Sequence, residues 1–181
     1  MHRMAGQLPP LVLMTDDDRL PDPLAAAAAL PKGAMVIVRA RDSGRRAELA
    51  RALLALSRRR DLFLLIADDP ALAAALGADG LHLPQSRAHE AAHWRALHPR
   101  WIISAAARGP RALHASVDLI FLSAVFPTGS HPGRAALGAV RANTLARASL
   151  VPVYALGGIE ARNAPLLSGF AGIAAVGALA P

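Results

Sequence analysis

Apolar residues fall in short, near-continuous runs, and each run is followed by a polar break and then an Ala/Leu/Arg stretch of helical period. The runs are Leu11 to Thr15, Ala34 to Ala40, Leu62 to Asp68, Gly80 to Leu83, Trp101 to Ala105, Asp118 to Ser123, Val151 to Leu156 and Gly172 to Gly177. Runs of Val, Ile and Leu without strict alternation suit strands covered on both faces, and intervening helices make the strands parallel. Eight such strands predict a (β/α)8 TIM barrel in the α/β class. An open doubly wound sheet is the rival arrangement. Between Arg41 and Asp61 the pattern predicts an amphipathic helix with Leu49, Ala52, Leu53 and Leu56 on its apolar face.

No linker or low-complexity segment interrupts this pattern, so residues 1–181 are expected to form a single domain. Typical barrels of this kind run to about 250 residues. The chain stops at Pro181, just past the eighth run, which leaves no room for a last helix. The seam between the eighth and first strands would then need cover, from the N-terminal segment or from a second copy in a homo-oligomer.

Composition narrows the function. Hydrophobic residues make up 54% and charged residues 18%, which argues against disorder. No apolar run reaches the roughly 18 residues of a membrane span, and the start lacks a signal-peptide pattern. With 0 cysteines there is no disulfide framework. A cytoplasmic protein with no membrane partner is expected. The formal net charge is +7, nearly all from arginine, and Lys32 is the only lysine. Aromatic residues are only 4%, too few to stack bases, so nucleic acid is not the expected partner. A small ligand rich in phosphate suits the same charge.

In a barrel the site forms at the C-terminal strand ends. Asp16, Asp17 and Asp18 follow the first strand, Arg39 and Arg41 close the second, Asp68 and Asp69 close the third, and Gln85 follows the fourth. Carboxylates there can hold a divalent metal, and arginines can grip phosphate. Asp69 before Pro70 also reads as a helix N-cap. His82, between two leucines, reads first as a satisfied core histidine, and no second histidine stands at zinc-ligand spacing. After the seventh strand, Gly157 and Gly158 precede Ile159 and an expected helix, which suits a phosphate site completed by Val176 and Gly177 after the eighth strand. Ser123 to Gly138 is rich in Gly, Pro, Ser and Thr and reads as a mobile active-site loop, with Thr128, Ser130 and His131 as ligand contacts.

Together these segments resemble the thiamine phosphate synthase family, which includes a thiazole tautomerase branch. "LVLMTD", "VIVRARD", "LLIADDPALAAALGADGLHLPQS", "VFPTGSHPG", "VPVYALGGI" and "GIAAVGAL" match its motifs in order. The resemblance implies a barrel that joins an aminopyrimidine methyl pyrophosphate to a thiazole phosphate and releases pyrophosphate. It also implies Mg2+ at Asp68, and pyrophosphate contacts from Arg39, Arg41, Gln85 and Thr128, with Ser130 and His131 in place of the family's threonine and lysine. The thiazole phosphate would sit on Gly157 and Gly158. Several positions depart from the pattern: Ile37 for glutamine, Ala67 for asparagine, Arg87 for the second metal aspartate and Ala106 for serine. Arg108 stands where the tautomerase branch has its acid/base histidine. A tautomerase-like isomerase and a non-catalytic precursor-binding protein on the same barrel therefore stand as alternatives.

Overall fold

The computed structural model describes residues 8–110, 116–129, 133 and 135–176. Its strands are β1 (Leu11–Met14), β2 (Met35–Val38), β3 (Phe63–Ala67), β4 (Gly80–Leu83), β5 (Ile102–Ala107), β6 (Leu119–Leu122), β7 (Val153–Leu156) and β8 (Gly172–Ala175). All eight are parallel neighbours in sequence order, and β8 pairs back to β1, which closes the barrel and removes the doubly wound alternative. Seven of the eight expected runs contain their strand, and the fifth, Trp101 to Ala105, falls two residues short of the end of β5.

The helices are α1 (Pro23–Ala29), α2 (Ser43–Arg60), α3 (Pro70–Leu76), α4 (Ala91–Leu97) and α5 (Ala139–Arg147). Local chemistry sets the starts of the first three. Asp22, Asp42 and Asp69 each cap a helix by accepting a backbone N–H three residues on, and Pro follows the cap in α1 and α3. Asp69 thus takes the cap role. The buried stripe of α2 is Ala50, Leu53 and Ser57, while Ala52 faces solvent, so the expected face is rotated.

Two aspartates fasten the N-terminal ends of the strands. Asp79 before β4 accepts from Leu64 N–H at 2.8 Å, and Asp118 before β6 accepts from Ile103 N–H at 2.7 Å. Each takes a donor that the parallel ladder leaves over, as buried backbone requires. Gly80 is dictated by proximity, since a Cβ there would lie 1.9 Å from the Ile102 carbonyl oxygen.

At the β8–β1 seam the described part of the N-terminal segment supplies contacts. Ile173 N–H donates to Pro10 O at 2.9 Å, and the Tyr154 hydroxyl donates to Pro9 O at 2.7 Å. Residues 177–181, on which the expectation of a missing last helix rests, lie outside the described residues. No helix among the described residues is long and apolar enough to cross a membrane.

Candidate active site

The C-terminal strand ends surround a cavity of about 790 Å³, within the range of small-molecule sites. Its wall takes residues from the exits of β1, β2, β5, β6, β7 and β8. Arg39, Arg41, Thr128, Gly157, Gly158, Ile159 and Val176 line it, as the sequence led one to expect. Ser130, His131 and Gly177 lie outside the described residues.

On the β1–β2 side the charges are interlocked. Asp16 Oδ2 accepts from Arg39 Nη2 and Arg19 Nη2, both at 2.7 Å, while its Oδ1 accepts from the Arg19 and Asp18 backbone N–H groups. These donors hold the Asp16 carboxyl down at about 2, the Arg19 hydrogen bond contributing most. Asp18 accepts from Arg41 Nη2 at 2.5 Å, and Asp17 accepts the Arg41 backbone N–H at 2.9 Å. The arginines expected to grip a ligand are thus already paired with the aspartates of the first loop. Arg19 was not singled out from the sequence; the Asp16-x-x-Arg19 spacing is the signal that would have found it.

The β7–β8 side is the opposite case. The carbonyls of Leu156 and Gly157 accept from Val125 and Phe126 N–H, each at 3.0 Å, and the Gly158 carbonyl accepts from Asn163 Nδ2 at 2.8 Å. The N–H groups of Gly157, Gly158, Ile159 and Val176 donate no hydrogen bond among the described residues. The turn therefore presents donors with its acceptors tied back, the arrangement an anion needs. Both glycines have positive φ, 92° and 67°. A Cβ at Gly158 would lie 2.3 Å from the Pro127 carbonyl oxygen, so the turn also needs glycine where the β6 loop crosses it. That loop is anchored here and through Leu137 and Gly138 N–H, which donate to Ala124 and Val125. The helix expected after Gly158 is replaced by a turn and a short 3₁₀ segment, Ala164–Leu166. Backbone donors, without an α-helix dipole, make this corner.

His82 forms part of the floor. Its Nδ1 lies 2.9 Å from Ser104 Oγ, and its ring meets Phe121 edge-on at 5.4 Å between centroids. Burial holds its pKa down at about 3, so the imidazole is neutral near pH 7. It is a satisfied core histidine whose edge reaches the cavity.

Asp68 and Gln85 do not line the cavity. Asp68 Oδ1 accepts from Arg87 Nη1 at 2.5 Å, and Arg87 also grips Glu90 through Nε and Nη2, both at 2.7 Å. Trp94 Nε1 donates to Glu90 at 3.0 Å. An arginine thus sits on the carboxylate proposed for Mg2+, and the donor set at Asp68 does not fit the cation. Among the described residues no three His, Cys, Asp or Glu side chains group as metal ligands. Ile37, where the family has glutamine, is fully buried in the core.

Comparisons with known proteins agree with this architecture. The family model described as thiamine monophosphate synthase matches residues 11–179. The chain is 35% identical to a thiamine-phosphate synthase of Chlorobium luteolum, over 94% of this chain and 85% of the relative. It is 36% identical to one of Methylobacillus flagellatus, over 91% and 82%. Among solved structures, thiamine phosphate pyrophosphorylase from Pyrococcus furiosus superposes with a TM-score of 0.73 at 23% identity, covering 93% of this chain and 85% of that one. By these matches the chain belongs to the thiamine monophosphate synthase family.

Proposed function

We propose that the protein is a synthase of thiamine biosynthesis acting on small phosphorylated precursors, an aminopyrimidine methyl pyrophosphate and a thiazole phosphate. The observation that carries this reading is the set of unused N–H groups at Gly157, Gly158, Ile159 and Val176, set in a cavity rimmed by arginines. In the reaction, the bond between the pyrimidine methylene carbon and pyrophosphate breaks, and its electron pair leaves with pyrophosphate. The thiazole nitrogen lone pair forms the new C–N bond. No redox partner is required. The Gly157–Gly158 corner would hold the thiazole phosphate and so aim the ring nitrogen into the cavity. Arg39, Arg41 and Thr128 would face the pyrophosphate. Neutral His82 on the floor can exchange a hydrogen bond with a heterocycle without adding charge. Gln85 and Asp68 stand outside this arrangement, and no step is assigned to Mg2+.

The test is turnover with both substrates, following thiamine phosphate as its fluorescent oxidation product. Formation above a protein-free blank, lost in Gly158→Ala, is expected. No product, with thiazole phosphate still bound by calorimetry, would establish the alternative of a precursor-binding protein. Isomerisation of a thiazole carboxylate phosphate without pyrophosphate release would establish the tautomerase-like one.

A further inference from the structure

Among the described residues, four arginines line the cavity: Arg19, Arg39, Arg41 and Arg108. The first three each share a carboxylate of the Asp16–Asp18 loop, at 2.5–2.7 Å. Arg108 differs. It follows β5 directly, is exposed, and makes no hydrogen bond or ion pair among the described residues. Its guanidinium brings five donors to the cavity, in a fork that matches phosphate oxygens. At the neighbouring rim of β3 and β4, where a cation would otherwise be sought, Arg87 is fully consumed by Asp68 and Glu90.

We propose that Arg108 is a specificity-determining anion anchor, holding the pyrophosphate group of the ligand directly and without a metal ion. This deepens the synthase reading and rests on it for the identity of the ligand. Among the described residues the other cavity arginines are paired and Arg87 closes the carboxylate rim, which leaves Arg108 uncommitted for a polyanion. The monophosphate of the second ligand goes elsewhere, to the N–H groups at Gly157 and Gly158. The two anions are thereby sorted by donor type: a charged, exposed side chain for the group that leaves, and backbone N–H groups for the group that stays.

The experiment is calorimetry of the full chain with inorganic pyrophosphate in EDTA, alongside a separate titration with thiazole phosphate. Wild type should bind pyrophosphate without metal. Arg108→Gln should weaken it about 10- to 100-fold, the scale of a charge-assisted hydrogen-bond pair. Arg108→Lys should recover part of the loss. Thiazole phosphate should bind wild type and Arg108→Gln alike, and an exposed side chain with no partner should leave the melting temperature unchanged. Equal pyrophosphate affinity in wild type and Arg108→Gln overturns the proposal, as does binding that appears only when Mg2+ is added. An equal loss for thiazole phosphate also overturns it, because the anchor would then not discriminate. Should thiazole phosphate fail to bind wild type while pyrophosphate still depends on Arg108, the synthase reading falls and the anchor stands.

Discussion

Asp16→Asn is the most informative single change at the mouth. The substitution keeps the side chain's shape and one acceptor oxygen but removes the charge shared by Arg19 and Arg39. In the folded chain the Asp16 carboxyl is held at about 2, against 3.8 for a free one. Each pH unit between those values is worth about 1.4 kcal/mol, which sets a ceiling of about 2.5 kcal/mol. The Asp16 side chain is only 14% exposed, but its partners are 41% and 40% exposed, so water and salt reduce the figure. A loss of about 1–2 kcal/mol at pH 7 is expected, or about 2–8 °C in melting temperature for a domain of this size. The sign with pH follows from linkage. Because the folded pKa lies below the unfolded one, this stability is present above pH 3.8 and lost as pH falls towards 2. His82 does not disturb the comparison: its own penalty on acidification is common to both proteins. Melting temperatures of wild type and Asp16→Asn should therefore differ at pH 7 and converge near pH 2. A gap of the same size at both pH values, or none at pH 7, would refute the idea that charge on Asp16 organises this rim.

The same variant leaves Arg39 without its carboxylate, so inorganic pyrophosphate should bind it more tightly than wild type in calorimetry; weaker binding would mean that Arg39 needs Asp16 to be positioned. Gly158→Ala forces a Cβ to within 2.3 Å of the Pro127 carbonyl at a φ of 67°, and should cost about 2 kcal/mol or more in chemical denaturation and abolish thiazole phosphate binding. Arg87→Asp would set a second carboxylate beside Asp68; Mg2+ binding should appear in that variant by calorimetry, and its absence would show that more than Arg87 separates this rim from a metal site. In NMR the His82 ring should show no titration between pH 5 and 8, since burial holds its pKa at about 3.

All eight strands were legible because a strand covered on both faces must be apolar throughout, and such runs have few other uses at that length. The Asp69 cap was legible for a similar reason, since Asp before Pro serves one local geometry and Asp69 adopts it, whereas the caps at Asp22 and Asp42 were not singled out. Side-chain pairing across the mouth was not. Residues 16 and 39 are far apart in the chain, and nothing in "TDDDR" or "RARD" says that the arginines meet the aspartates before they meet a ligand. The Gly157–Gly158 corner was half legible. The glycines announced close approach of backbone, but one of the approaching groups is the β6 loop, and the expected helix is absent.

The departures from the family pattern become intelligible when the charges are followed around the rim. By its resemblance to the family, Arg87 falls where a metal carboxylate is expected, and its charge is spent on Asp68 and Glu90, whose carboxyl it holds near 2. A divalent cation brought to that point would have to displace a guanidinium bound to two carboxylates, and so compete with three charge-assisted hydrogen bonds already made. Without a metal, a polyanionic ligand needs its positive charge from the protein. Of the arginines that line the cavity, those beside β1 and β2 are neutralised locally, so the compensation falls to the β5 exit. On the proposal made above, Arg108 would bring to a polyanion the charge that the Arg87 pairing with Asp68 and Glu90 keeps a metal from bringing. Placing an aspartate at 87 without removing Arg108 should accordingly leave pyrophosphate binding dependent on Arg108. Only the double change, Arg87→Asp with Arg108→Gln, should make it depend on Mg2+.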